Sequence, residues 1–136
     1  MTFNLADLYE AVADAAPDRE VLVCGDRRLT HAQLDERANR LANALAARGI
    51  GPGDAVGLQL ANGTEYVEGM LAAFKLRAIP VNINYRYVER ELRYLYEDSD
   101  LAALIHHRGF GDRVAQSLDQ PLRALLTVED GSETAL

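Results

Sequence analysis

Short apolar runs alternate with helical segments along residues 54–128, and this alternation is the feature that most constrains the fold. Strands are predicted at residues 54–60, 79–84, 101–106 and 122–128. Helices are predicted between them, the first capped by Asn62 and ending near Arg77, the others at 88–98 and 112–118. Strands joined by helices form βαβ units with parallel strands. The sequence therefore predicts an α/β fold with a mainly parallel sheet and helices on both faces.

A helix and a short β-hairpin precede this region. Asn4 is a good N-cap for the first helix, and Pro17 ends that helix. Residues 20–24 and 27–30 are predicted to pair as a hairpin, because a Gly-Asp turn separates them. The apolar face of the first helix is predicted to consist of Leu5, Leu8, Tyr9 and Val12.

The second helix carries the clearest signals of a beginning and an end. Thr30 and Gln33 fit a capping box, and Gly49 suits the left-handed position after a helix. Its buried face is predicted to consist of Leu34, Ala38, Leu41 and Leu45. In the next helix, with Glu65 three residues after the Asn62 cap, the inward residues are predicted to be Val67, Met70, Leu71 and Phe74. In the helix at 88–98 they are predicted to be Val88, Leu92 and Leu95.

Length and composition exclude several classes of function. The 136 residues, 49% of them apolar, suit one domain or part of a larger one. The formal net charge of −7 argues against nucleic-acid binding, which needs clustered Lys and Arg. No apolar run approaches the roughly 20 residues that span a bilayer. A single cysteine, Cys24, and an N-terminus without a signal-peptide pattern favour the cytoplasm.

Few residues have the context of a catalytic or metal site. No partners at metal-ligand spacing accompany His31, His106 and His107, so no metal site is predicted. The nucleophile-elbow context is missing around Ser99, Ser117 and Ser132. A structural turn is expected at residues 51–54, because these glycines precede a strand, whereas a phosphate loop precedes a helix. Residues 62–64 do precede a helix, but without the glycine pattern they are interpreted as a helix cap.

Arg86 is the strongest candidate for a ligand contact. It lies between two tyrosines after the strand predicted at 79–84, at the end where open α/β sheets bind ligands. An arginine there can bind a phosphate or carboxylate through two parallel hydrogen bonds. The alternative is that Arg86 caps a neighbouring helix or pairs with Glu89 or Glu91.

Residues 29–42, LTHAQLDERANRLA, closely resemble the early LTYAELDERANRLA signature of the adenylate-forming, AMP-binding enzymes. Residues 49–56 resemble that family's GVGPGDRV stretch, and residues 71–81 its LLAALKAGAVPV stretch. Further similar blocks occur in the family's order at 62–67, 84–92 and 95–98. The VNINYRY segment at 81–87 most resembles fatty-acid and steroid-side-chain CoA ligases of actinobacteria.

The resemblance implies an enzyme that uses ATP, CoA and Mg²⁺. Such enzymes activate a carboxylic acid, here a fatty or steroid-side-chain acid, as an acyl-adenylate and transfer it to CoA. Cations and backbone donors stabilise the charge that develops on the phosphate and carbonyl oxygens. Residues 1–136 would then form the first, incomplete portion of the large N-terminal domain, with a flexible tail at 129–136.

The motifs that carry the chemistry in this family do not occur in the 136 residues. They are the Ser/Thr/Gly-rich phosphate loop similar to TSGTTGxPKG, the motifs for adenine, ribose and Mg²⁺, and the lysine of the small C-terminal domain. No catalytic residue and no metal ligand can therefore be assigned, and the chain alone is expected to be inactive, with none of the cofactors bound. Arg86 occupies the place of an arginine that approaches the nucleotide end of CoA in some CoA ligases. Two departures are Tyr85 in place of Pro and Arg77 in place of Gly.

Other identities and a consequence of the incomplete sheet remain to be considered. The chain could instead belong to an aryl-acid ligase or an amino-acid adenylation domain, or be a non-catalytic binding or interaction module of the same fold. An incomplete sheet leaves apolar surface or an edge strand exposed. We therefore expect the chain to self-associate or to pair with the missing part of the enzyme.

Overall fold

The computed structural model describes residues 3–130 and confirms the predicted order of helices and strands. The N-terminal elements are α1 (Leu5–Ala15), β1 (Glu20–Cys24), β2 (Arg27–Thr30) and α2 (His31–Ala46). The alternating region comprises β3 (Ala55–Gln59), α3 (Thr64–Lys75), β4 (Ile79–Asn82), α4 (Glu89–Asp98), β5 (Leu101–His107), a 3₁₀ turn (Arg108–Phe110), α5 (Gly111–Ser117) and β6 (Ala124–Val128).

All four strands of the main sheet are parallel, and their order is β4-β3-β5-β6. β1 and β2 form a separate antiparallel hairpin, as predicted. β4 ends at Asn82 and β6 begins at Ala124, so both strands are two residues shorter than the sequence suggested. The predicted α/β class and the mainly parallel sheet are confirmed.

Each face of the sheet is covered by its own apolar layer. The layer beneath α2 and α3 includes Leu45, Val56, Leu58, Ala72 and Ile105. The layer beneath α4 and α5 includes Leu92, Tyr96, Leu101, Leu104 and Val114. These side chains are at most 3% exposed, and burying one large apolar side chain stabilises the fold by roughly 1.5–3 kcal/mol. Helices therefore lie on both faces of the sheet.

The predicted caps of α1 and α2 are confirmed. The Ala6 N–H donates to Asn4 Oδ1 over 2.8 Å, and the Gln33 N–H donates to Thr30 Oγ1 over 3.2 Å. At the other end of α2, Gly49 has a φ of 86° and the Ile50 N–H donates to the Leu45 carbonyl over 3.1 Å. These contacts satisfy backbone groups that would otherwise lack partners at the helix ends.

Asn62 does not cap α3, so that prediction was wrong. Gly63 is the N-cap residue, and no side chain accepts a hydrogen bond from the first turn in the manner of a cap. The first turn contacts the hairpin instead, because Arg27 Nη1 donates to Glu65 Oε1 over 2.9 Å and to Thr64 Oγ1 over 2.8 Å. The first turn of α3 is therefore held by the arginine of β2.

The predicted apolar face of α1 is mostly exposed, which is a second correction. Leu5 is 57% exposed, Leu8 is 52% exposed and Val12 is 43% exposed. The buried residues of α1 are Ala6 and Ala13, which lie about 100° around the helix from that face. The small alanines allow α1 to lie close to the molecule, and the larger side chains remain on the outside.

Polar contacts explain why α1 has this orientation. Lys75 Nζ lies 2.6 Å from Glu10 Oε1 and 2.7 Å from Asp35 Oδ1, which joins α1, α2 and α3. Arg77 pairs with Asp7 over 2.7 Å. Burial opposes the charged form of Lys75, but the hydrogen bonds to Asp35 and Glu10 raise its pKa above the ordinary value. The lysine therefore stays charged in the junction of the three helices.

Small and polar residues also dominate the buried side of α3. The predicted inward residues Val67, Met70, Leu71 and Phe74 are only partly buried. The fully buried positions are Thr64, Glu68, Gly69, Ala72 and Ala73. Glu68 pairs with Arg37 of α2 over 2.6 Å. In α4 the buried residues are Leu92 and Tyr96, whereas Val88 lies before the helix and is 56% exposed.

Two residues of the predicted flexible tail are described, and both make contacts. Arg108 Nε donates to Glu129 Oε2 over 2.6 Å, and the Gly109 N–H donates to Asp130 Oδ2 over 2.9 Å. The remainder of that tail, residues 131–136, lies outside the described residues. No helix between residues 3 and 130 is long and apolar enough to cross a membrane.

Candidate functional site

The carboxyl ends of the parallel strands meet at one edge of the sheet, which is the edge where this fold class binds ligands. An open cleft of about 280 Å³ lies there. Leu60, Asn62 and Tyr66 line it from the region after β3, and Asn84, Tyr85 and Tyr87 line it from the connection between β4 and α4. Three tyrosines therefore line the cleft, and two of them, Tyr85 and Tyr87, flank Arg86 in the chain.

The turn that carries Arg86 is fixed by backbone hydrogen bonds. The Tyr87 N–H donates to the Asn84 carbonyl over 3.0 Å, and the Arg86 N–H donates to Asn84 Oδ1 over 2.9 Å. The Ile83 N–H donates to the Leu58 carbonyl over 3.0 Å, which ties the start of the turn to β3. An asparagine that accepts a hydrogen bond two residues ahead is typical of such turns.

The Arg86 side chain is exposed, and the neighbouring carboxylates that could neutralise it have other partners. Glu89 bonds Arg93 over 2.6 Å, and Glu91 Oε2 accepts from the Val88 N–H over 3.1 Å. Within residues 3–130 Arg86 makes no ion pair, and its guanidinium lies 5.7 Å from the centre of the Tyr85 ring. The structure therefore does not show the alternative in which Arg86 pairs with Glu89 or Glu91.

Aromatic rings join the turn after β4 to the segment after β5. The Tyr85 and Phe110 rings are stacked, with centroids 5.4 Å apart and planes at 9°. Phe110 also meets His107 edge to face at 6.0 Å. Arg113 Nη1 donates to the Tyr85 carbonyl over 2.8 Å. These contacts fix the position of Tyr85 from both its ring and its backbone.

Sequence reasoning missed Phe110 and Arg113 as members of this site. Both are about 25 residues from Tyr85 along the chain, and neither belongs to a motif. The order of the strands brings them together, because β4 and β5 are the two neighbours of β3. The sequence carried one usable signal, which is that both segments follow strands of one parallel sheet and must reach the same edge.

A layer of buried polar side chains lies beneath this edge. Gln59 and His106 are register partners on β3 and β5, and both are fully buried. The Tyr96 hydroxyl donates to Gln59 Oε1, while Gln59 Nε2 has no hydrogen-bond partner among the described residues. Burial raises the pKa of Tyr96 to about 12, so its hydroxyl stays protonated at neutral pH.

The two adjacent histidines have structural contacts. His106 Nδ1 lies 2.8 Å from the His107 carbonyl, and His106 Nε2 lies 3.3 Å from Thr127 Oγ1. Burial lowers the pKa of His106 below its ordinary value, which favours the neutral ring. His107 Nδ1 accepts a hydrogen bond from the Ala61 N–H over 3.1 Å. His31 is buried at the start of α2, 5.9 Å from the Tyr9 ring.

The other candidate groups do not form a catalytic or metal site. In the part of the chain that the structure describes, no three His, Cys, Asp or Glu side chains are grouped to hold a metal ion. The Ser99 and Ser117 hydroxyls donate over 2.7 Å to helix carbonyls, and Ser132 lies outside the described residues. Cys24 is exposed with a free thiol.

A second cavity, of about 480 Å³, lies at the opposite edge, where the strands begin. Arg123 extends across it and bonds Asp54 Oδ1 over 2.6 Å and the Gly49 carbonyl over 2.6 Å. The hydrogen bond from Arg123, followed by one from the Gly51 N–H, lowers the pKa of Asp54. This glycine-containing segment links α2 to β3 with Gly53 at a φ of 81°, so it is a structural turn, as predicted.

The comparisons with known proteins agree with this fold. Residues 9–135 match the model of the AMP-binding family, described as AMP-binding enzyme. The chain is 51% identical over 135 residues to a medium/long-chain-fatty-acid–CoA/3-oxocholest-4-en-26-oate–CoA ligase of Mycobacterium marinum, and 50% identical to a 3-oxocholest-4-en-26-oate–CoA ligase of Rhodococcus rhodochrous. Each match covers 98% of this chain but 24% of the relative, so the chain spans about a quarter of their length.

Solved structures show the same architecture. A putative long-chain-fatty-acid CoA ligase from Rhodopseudomonas palustris superposes with a TM-score of 0.88 and 31% identity, over 96% of this chain and 34% of that one. The N-terminal domain of FACL13 from Mycobacterium tuberculosis gives a TM-score of 0.85 and 27% identity, over 93% of this chain and 34% of that one.

Proposed function

This chain belongs to the family of AMP-binding enzymes, and we propose that it forms the first part of the large N-terminal domain of an AMP-forming acyl-CoA ligase. One observation carries the proposal. The sequence matches CoA ligases for fatty acids and for 3-oxocholest-4-en-26-oate at about 50% identity over 98% of its length. We infer from these names that the complete enzyme acts on medium- or long-chain fatty acids or on a steroid-side-chain acid. We also propose a cytoplasmic location, which a single cysteine favours.

The proposed reaction has two steps. A carboxylate oxygen of the acid attacks the α-phosphorus of ATP, and pyrophosphate leaves, so that an acyl-adenylate forms. The sulfur of CoA then attacks the acyl carbonyl, and AMP leaves. Adenylation makes the second step possible because AMP is a far better leaving group than the oxygen of a free carboxylate.

The described residues fit one end of CoA and do not fit the other ligands of this reaction. Arg86 offers an exposed cation without an ion pair in residues 3–130, and it follows Tyr85 beside an aromatic cleft. Arginine with its planar fork of donors suits phosphate, and the rings of Tyr66 and Tyr87 in the cleft suit a purine base. Residues 3–130 present no metal-binding cluster for Mg²⁺ and no phosphate loop for ATP. We therefore assign Arg86 to the nucleotide end of CoA and leave the adenylation chemistry to later parts of the enzyme.

We also propose that the exposed apolar surfaces are covered in the complete enzyme. Exposed apolar side chains on the outer face of α1 are Leu5, Leu8 and Val12. Phe3, just before the helix, is 71% exposed. Val21 and Val23 of β1 are exposed as well, at 39% and 51%. Apolar patches of this kind usually mark contacts with other protein segments. The remaining three quarters of the enzyme would cover them, and in the isolated chain a second copy would.

The experiment that tests this function uses the protein expressed from the complete reading frame. The protein is incubated with ATP, Mg²⁺, CoA and a panel of fatty, steroid-side-chain and aromatic acids, and the products are identified by mass spectrometry. Formation of AMP, pyrophosphate and a fatty or steroid acyl-CoA is the expected result. Aromatic acyl-CoA alone would favour an aryl-acid ligase, and no adenylate with any acid would favour a non-catalytic module.

A further inference from the structure

We propose that Tyr85 is a positioning residue, whose ring holds the Arg86 guanidinium ready for a phosphate group at the nucleotide end of CoA. This inference rests on the proposed function, because it concerns how the CoA contact of Arg86 is prepared. It adds a role for a residue that departs from the family pattern, in which proline is common at this position.

The first step is that the Tyr85 ring is fixed before any ligand binds. Phe110 stacks against it with the ring centroids 5.4 Å apart and the planes at 9°. Its carbonyl accepts a hydrogen bond from Arg113 Nη1 over 2.8 Å. The turn around it is closed by the bond from the Tyr87 N–H to the Asn84 carbonyl, which is 3.0 Å long. Phe110 therefore holds the ring, while Arg113 of α5 and the closed turn hold the backbone that carries it.

The second step is that the fixed ring restricts the arginine. The Arg86 Cζ atom lies 5.7 Å from the Tyr85 ring centre, which is within the range of a cation–π contact. A free arginine side chain samples many rotamers, and binding a ligand must restrict them. An aromatic surface next to the guanidinium reduces that cost, because part of the restriction exists before binding.

The third step is that the contact leaves the donors of Arg86 available. The N–H groups of a guanidinium lie in its plane, so an arginine that contacts an aromatic ring can still donate two parallel hydrogen bonds to a phosphate. Glu89 and Glu91 do not occupy these donors, because Glu89 bonds Arg93 and Glu91 accepts from the Val88 N–H. A proline at position 85 would stiffen the backbone but would offer no aromatic ring to the arginine.

The role depends on the ring and not on the hydroxyl. The contacts of Tyr85 with Phe110, Arg86 and Arg113 use its ring and its carbonyl, and no hydrogen bond of its hydroxyl is seen among residues 3–130. Tyr85→Phe is therefore a conservative variant that should rescue the function, whereas Tyr85→Leu removes the ring. Tyr94→Leu is the matched control, because Tyr94 lies on the same side of the sheet in α4 but is 68% exposed.

The test measures binding of adenosine 3′,5′-bisphosphate, the nucleotide end of CoA, to the complete protein by calorimetry, and it needs no catalysis. Tyr85→Leu removes a cation–π contact at an exposed site, so its affinity for the bisphosphate should fall about threefold to fivefold. Arg86→Ala should weaken binding about tenfold or more, as expected for a charge-assisted hydrogen bond. Tyr85→Phe and Tyr94→Leu should bind like the wild type. Adding Tyr85→Leu to Arg86→Ala should cause no further loss, because Tyr85 acts through Arg86.

Three results would overturn the inference. Tyr85→Leu could bind the bisphosphate as tightly as the wild type, or Tyr85→Phe and Tyr85→Leu could lose the same affinity. The third is a double variant whose loss of affinity equals the sum of the two single losses. If the wild type does not bind the bisphosphate, the inference also fails. Steady-state kinetics give the second measurement, in which Tyr85→Leu should raise KM for CoA more than it lowers kcat. If binding follows the predicted pattern but no acyl-CoA forms, the positioning role stands and the proposed function fails.

Discussion

His106 shows how the polar layer under the candidate site depends on pH. The imidazole is fully buried, and its hydrogen-bond contacts within residues 3–130 are with the His107 carbonyl and Thr127 Oγ1. Burial lowers its pKa below the ordinary value of 6.5, so the folded state resists protonation. As the pH falls through 6.5, the unfolded state binds this proton more readily than the folded state. The free energy of unfolding must therefore decrease on the acidic side of neutrality.

We predict a loss of stability between pH 7.5 and pH 5.5, with a slope of at most about 1.4 kcal/mol per pH unit from this one group. The loss is measured by urea unfolding of the wild type and of His106→Gln at both pH values. The Asp7 and Asp54 carboxyls have pKa values below 3.8, so they titrate below this interval. The variant should lose less stability than the wild type over the same range. Identical losses would show that His106 is not the titrating group.

The position of Arg86 could be predicted from the sequence, whereas its surroundings could not. A parallel strand with an arginine just after it places that arginine at the ligand edge, whatever the details of packing. The stacking of Tyr85 on Phe110 and the hydrogen bond from Arg113 depend on how α5 lies against the sheet. No local pattern encodes such a contact between segments far apart in the chain.

Among the secondary-structure elements, β3 leaves the least room for larger side chains, because it lies inside the sheet and is buried at every residue. Gly57 lies where β3 approaches the layer beneath α4. A Cβ atom there would be 2.7 Å from Ile83 Cδ1 and 3.0 Å from both Leu101 Cδ1 and Leu104 Cδ1. Ile83 immediately precedes the turn that carries Arg86, so crowding at Gly57 also reaches the candidate site.

We predict that Gly57→Ala destabilises the protein by about 1–3 kcal/mol, as overpacking of a core does. Gly51→Ala is the matched control. An added Cβ at Gly51 meets no atom within 4 Å, so its effect should stay within about 0.5 kcal/mol. Denaturant unfolding of both variants gives the comparison. Equal stabilities would mean that the layer beneath α4 can expand to admit a methyl group.

Helix α1 shows where a periodic pattern predicts the element correctly and its orientation incorrectly. Asn4 and Pro17 defined the helix, because capping and proline effects are local. Its rotation depends on distant ion pairs, of which Lys75 with Glu10 is one, and on the two alanines that permit close packing. The periodicity therefore predicts Leu8 and Val12 on the buried side of α1, whereas they lie on its exposed side.

At the scale of the whole molecule, the exposed face of α1 is expected to cause self-association of the isolated chain. The apolar side chains there resemble those of contact surfaces between proteins. We predict that the 136-residue chain forms dimers or larger species in sedimentation velocity experiments, and that Leu8→Glu shifts it towards monomer. Ala115→Glu adds the same charge on an exposed position of α5 and should leave the association unchanged. A monomeric wild-type chain would contradict this expectation.

The proposed function assigns different tasks to this chain and to the rest of the enzyme. Residues 3–130 supply a parallel sheet, an arginine-bearing turn closed by hydrogen bonds and a buried polar layer, and they contain no cluster of three His, Cys, Asp or Glu side chains. Stabilising the charge on a transferring phosphoryl group requires cations and aligned donors. We propose that this chain contributes scaffold and one end of the CoA site, and that adenylation uses other parts of the enzyme.

The most direct test of that account measures pyrophosphate release and acyl-CoA formation by the 136-residue chain and by the product of the complete reading frame, side by side. Both are given ATP, Mg²⁺, CoA and the best acid of the panel. We predict activity from the complete protein and none from the 136-residue chain. Adenylate formation by the 136-residue chain, or no adenylate from the complete protein, would contradict the central claim.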